Sequence, residues 1–149
     1  MTTVASTPTQ TPSLVKSIAA GALAGLGGGL VFGMMMAMMG MLPMVAMLVG
    51  SQDAIIGFGV HMAISAAIGG VYGAIARHLP QNFQTGLLAG AANGVAWWVL
   101  GALVLMPLML GMGDMVLQVG QAQWMSLVGH VIFGVVTGLL FIPLSRRLA

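Results

Sequence analysis

Four stretches of this chain run without a formal charge for the length of a membrane crossing: about Ser17 to Val49, Ala54 to Ala76, Leu87 to Leu110 and Met125 to Leu144. A helix needs roughly 20 mostly apolar residues to cross a bilayer core, so the pattern predicts four spanning helices. The runs are continuously apolar and rich in Gly, Ala, Met and Leu. A membrane barrel strand would instead alternate over about ten residues. The first run exceeds what a span requires, and its outer end, beyond Gly40 and Pro43, is predicted to kink, tilt or project.

Inside these runs the small and polar positions recur in a fixed frame. His61 and His130 are 69 residues apart, as are Arg77 and Arg146. The first run carries Gly21, Gly25, Gly29 and Gly33, each four apart, and the third carries Gly86, Gly90 and Gly94. The second reads Gly57, His61, Ser65, Gly69, Gly73, and the fourth reads Ser126, His130, Gly134, Gly138. The second half therefore reads as a copy of the first, with repeats at about 17–80 and 83–149. Two spans per copy imply a parallel repeat about an axis along the membrane normal. The fold class that follows is all-α integral membrane: four transmembrane helices in an antiparallel bundle built from two such hairpins. Residues four apart share a helix face, and stripes of small residues let membrane helices approach closely, in the manner of a glycine zipper. The same faces could dock a larger membrane complex or a second copy of the chain.

Composition agrees with the pattern. With 59% hydrophobic residues, four Lys and Arg and two Asp and Glu, the chain could not present an ordinary water-facing surface. It is expected to be an integral membrane protein in contact with lipid. Residues 1–13, with five Thr, two Ser and two Pro, are expected to form a disordered cytoplasmic tail, leaving 14–149 as one four-helix domain. The first span is longer than the apolar region of a secretory signal and is expected to be retained. Lys16, Arg77, Arg146 and Arg147 fall on one side of a four-pass chain, with Asp53 and Asp114 on the other. The cationic side should be cytoplasmic, with both termini there. A pI near 10.0 arises from these dispersed cations rather than from a basic face, so no nucleic-acid partner is expected.

Candidate chemistry is confined to few groups. The chain has no cysteine, which removes disulfides, thiolate-bound zinc and iron–sulfur clusters. No nucleophile constellation, P-loop or paired carboxylate is present, so a binding role is expected over an enzymatic one. His61 and His130 stand in the small-residue stripes with Gly57, Ser65, Ser126 and Gly134 one turn away, at one depth toward the extracytoplasmic side. Two imidazoles on diagonal helices, flanked by small residues, could ligate the two faces of a haem b and serve electron transfer. His78 has no counterpart and reads as interfacial. The fifteen methionines cluster toward the side of the histidines, and thioether with imidazole suits Cu(I). Against that stands methionine's ordinary use as packing filler. A copper-handling protein and a cofactor-free accessory or assembly subunit are the alternatives. Asn93 is read as an interhelical hydrogen-bonding group, and Trp124 as a boundary residue.

Overall fold

A computed structural model describes residues 13–148; the tail predicted at 1–13 lies, apart from Ser13, outside them. The described residues are helical and contain no strand. Four segments are long and apolar enough to cross a membrane, Leu14–Met38, Ala54–Ala76, Phe83–Met109 and Gln121–Leu148, as an integral membrane protein requires.

Helix α1, Leu14–Met38, starts where the Ser13 hydroxyl accepts the Lys16 amide at 3.3 Å. It ends short of the predicted run because Gly40 takes a left-handed conformation, φ +66°, which only glycine adopts without steric cost. The chain turns there into a short helix α2, Leu42–Ala46, with Pro43 in its first turn. Proline is tolerated there because the first helical amides lack intrahelical partners anyway. The outer end of the first run thus turns away and packs along helix α3, Ala54–Ala76.

Asp53 caps α3: its Oδ1 accepts the amides of Ile55 at 2.7 Å and Ile56 at 3.2 Å. Asp53→Ala is expected to cost about 1 kcal/mol of stability, read as a lowered midpoint of thermal unfolding in detergent. An unchanged midpoint would show that the turn holds the helix end without its cap.

The third segment begins earlier than its apolar run, since Asn82 Oδ1 accepts the Thr85 amide at 2.9 Å and caps helix α4, Phe83–Trp97. A π-helical stretch, Trp98–Leu105, follows, and then helix α5, Met106–Met109. Pro107 lacks the amide that would reach the Leu103 carbonyl four residues back. The Leu117 amide fills that place at 3.0 Å from the following loop, with Leu117 itself at φ +59°. Helix α6, Gln121–Leu148, completes the chain and also begins before its predicted run.

Glycines set the contacts between helices. Gly21 lies against Gly69 and Gly73, Gly25 against Ser65 and Gly69, and Gly33 against Phe58 and His61. The numbers rise on α1 as they fall on α3, so the two helices run in opposite directions. On the other side Gly86 meets Gly138, Gly90 meets Gly134, and Gly94 meets the His130 carbonyl. α1 also packs on α6, through Gly28 against Phe133 and Thr137 and through Phe32 against Gly129. α3 and α4 scarcely touch. The bundle is therefore closed on three sides and open along the seam between its second and third spans.

Candidate functional site

The seam holds an apolar cavity of about 460 Å³. Its position follows from side-chain size. On the α3 side the wall is His61, Ile64, Ser65 and Ile68, and on the opposite side Trp97, Gly101, Ala102 and Met106. Gly101 has no atom within 4 Å of where a Cβ would stand, so at that position the π-helical segment presents no bulk to the space, while its Ala102 and Leu105 line it. Phe32 and Met36 of α1 and Ser126, His130 and Phe133 of α6 line it from the closed side, and Met41, Met44 and Val45 line it from the first turn-back. α2 and the Asp53 loop lie at the same end of the bundle.

Both histidines belong to this wall, and so do Ser65 and Ser126. His61 is buried, and its Nε2 donates to the Gly29 carbonyl of α1 at 2.9 Å. His130 is half-buried, and its Nδ1 donates to the Ser126 carbonyl one turn back at 2.8 Å, with the Ser126 hydroxyl 3.3 Å away. Phe32 reaches both rings edge-on, with centroids 5.4 Å from His61 and 5.0 Å from His130. It is 5% exposed and fills the ground between α1, α3 and α6.

A carbonyl oxygen can only accept, so the nitrogens facing Gly29 and Ser126 carry hydrogen. In each neutral ring the other nitrogen is then a lone-pair acceptor: Nδ1 of His61 and Nε2 of His130. Neither makes a hydrogen bond among the described residues.

The other two positions singled out with the histidines go elsewhere. Gly57 stands against the Leu42 carbonyl of α2, and Gly134 against Gly90 and the Gly94 amide of α4. Their missing side chains make room for backbone, and neither lines the cavity. Asn93 Nδ2 is buried without a hydrogen-bond partner among the described residues. Trp98 donates from Nε1 to the Gln123 carbonyl at 3.0 Å and stacks on Trp124, 58% exposed. His78 is exposed. Phe32, Gly101 and Trp97 carried no signal in the sequence that would have marked them as cavity residues; an aromatic or a glycine in an apolar run looks the same wherever it faces.

The methionines divide. Met34 and Met38 are 52% and 82% exposed, on the outside of α1, whereas Met36, Met41, Met44, Met106 and Met109 line the cavity. No group of three or more His, Asp or Glu side chains able to hold a metal ion occurs among the described residues. No protein family, curated protein or solved structure matched this chain.

Proposed function

We propose that this is a small multi-pass membrane protein that binds a ligand in the seam cavity, without transforming it, against the paired imidazoles of His61 and His130. One observation carries the reading: the cavity of about 460 Å³ is walled almost entirely by apolar side chains, and its few polar groups are two histidines and two serines from α3 and α6. Mostly apolar pockets of roughly 300–1,000 Å³ with a few convergent polar groups are the usual form of small-molecule sites. Binding is favoured over catalysis because no carboxylate lines the space, and the Ser126 hydroxyl lies beside the His130 nitrogen that carries hydrogen, where it meets no base.

Filling the cavity tests this. Gly101→Trp adds a large ring at a cavity-lining position whose Cβ would have nothing within 4 Å, so the variant should fold and lose whatever organic molecule or metal co-purifies with the wild type. Mass spectrometry of solvent extracts, metal analysis and an optical spectrum would read the difference. Identical bound material in both proteins would overturn the reading.

The haem b reading, with its electron-transfer role, draws on the same two imidazoles. It asks more of the geometry, because His61 Nε2 is bound to the Gly29 carbonyl and the Phe32 ring meets both histidines. A low-spin haem spectrum from natively expressed protein, lost in His61→Ala and kept in His78→Ala, would establish it. If nothing at all is bound, the accessory-subunit reading gains instead.

The chain is further proposed to be two duplicated hairpins with both termini cytoplasmic. The matched glycine contacts of α1 with α3 and α4 with α6 support the first part, and the segregation of cations from acids supports the second. With no native cysteine, Gln52→Cys and His78→Cys, both at exposed positions, report on opposite ends of α3. Gln81 is less suitable, since its amide donates to the Ala76 and Leu79 carbonyls. An impermeant thiol reagent on intact cells should label Gln52→Cys and spare His78→Cys; the reverse pattern would invert the orientation.

A further inference from the structure

The two histidines are held in the manner of metal ligands without being held against each other. Imidazoles that ligate a metal almost always donate their other N–H to a carboxylate, carbonyl or water, which fixes tautomer and ring orientation. His61 and His130 both do so, to the Gly29 and Ser126 carbonyls at 2.9 and 2.8 Å. Each is left with one lone-pair nitrogen, on rings that line the same cavity. The remaining donors in that wall are the hydroxyls of Ser65 and Ser126 and the thioethers of its methionines. Met36 is 7% exposed, and Met41 and Met106 pack against the same cluster as Phe32 and Met36.

From this donor set we propose that the cavity binds a single Cu(I) ion, with His61 Nδ1 and His130 Nε2 as imidazole ligands and thioether sulfur from among Met36, Met41 and Met106. The inference rests on the cavity reading above and names its ligand. Charge and softness select the ion. No carboxylate or thiolate lines the space, so a divalent cation would sit in an apolar pocket with two uncompensated charges, whereas a monovalent ion leaves one. Thioether and imidazole suit Cu(I), while hard cations seek carboxylate and carbonyl oxygen. The lipid-facing Met34 and Met38 take no part, which separates a ligand set from methionine used as filler.

The test uses the full-length chain in detergent, without oxygen, with Cu(I) partitioned between the protein and a chromophoric Cu(I) chelator. The wild type should take up one Cu(I) per chain. His61→Ala, His130→Ala and the triple variant Met36→Leu, Met41→Leu, Met106→Leu should each weaken binding by at least about tenfold, the loss that removing even an outer partner brings at metal sites. Met34→Leu with Met38→Leu should change nothing. X-ray absorption of the loaded protein should show sulfur and nitrogen together in the first shell, and Zn(II) should bind far more weakly. The leucine variants keep side-chain volume, so loss of copper by a chain that remains monodisperse and helical reports on ligation rather than on folding. Binding that survives both the histidine and the methionine variants, a first shell lacking sulfur, or Zn(II) held as tightly would overturn the proposal. If the wild type takes no Cu(I) yet an organic molecule co-purifies and is lost in Gly101→Trp, copper is excluded and the cavity reading stands. If neither is bound, both fall.

Discussion

Gly69→Leu and Gly134→Leu should each abolish the compact fold. A Cβ on Gly69 would stand 2.7 Å from the Gly25 Cα and against the Gly21 carbonyl; on Gly134 it would stand 2.8 Å from the Gly94 amide nitrogen and against the Gly90 carbonyl. Backbone cannot swing aside as a side chain can, so the helices must separate along the whole contact. Close approach is the main source of attraction between membrane helices, because lipid tails are as apolar as leucine and supply no hydrophobic drive. The expected cost therefore reaches or exceeds the upper end of ordinary overpacking, about 3 kcal/mol. Gly59→Leu is the control: Gly59 is exposed, with nothing within 4 Å of its added Cβ. Thermal unfolding and the monodisperse fraction after detergent extraction read the outcome. Wild-type behaviour in both contact variants would mean that the helices meet through other residues.

The second large effect is expected at Phe32. Its ring is 5% exposed, lies over Gly129 and meets both histidines. Truncation to alanine should cost about 3–5 kcal/mol, the range for buried aromatics. It should also free the two imidazoles from the edge contacts that restrain them, so ligand binding should weaken along with stability. Phe141→Ala separates the two consequences. Phe141 is 1% exposed and belongs to the other packed cluster, with Ala20, Ala24, Tyr72 and Ala76; its loss should destabilise to a similar degree and leave the cavity's binding intact. Equal binding in both variants would show that Phe32 packs the bundle without shaping the site.

The second span was legible to the residue, since Ala54 and Ala76 bound both the apolar run and α3. Asp53 before it and Arg77 after it are signals written in the chain. Elsewhere the helices outran or fell short of their apolar runs. Asn82 starts α4 ahead of the hydrophobic stretch by capping it, and Gly40 stops α1 inside its run by turning left-handed. The π-helical stretch was not legible. A proline-bearing apolar run can carry a bulge, a kink or a break, and here the choice accompanies a bond from a distant loop, Leu117 to the Leu103 carbonyl.

Sequence alone determined the class, the number of spans and the layer in which both histidines lie, because hydropathy and four-residue spacing are properties of single helices that persist wherever those helices pack. The glycine stripes told which faces could approach. Tertiary structure decided what they approached, giving Gly57 to the α2 backbone and Gly134 to α4, away from the cavity. It alone decided that the second and third spans stand apart, that Phe32 reaches both imidazoles, and which ring nitrogen each histidine turns to a carbonyl. These are relations between helices distant in sequence, fixed by how side chains of unequal size share one interior, and no periodicity within a single helix encodes them.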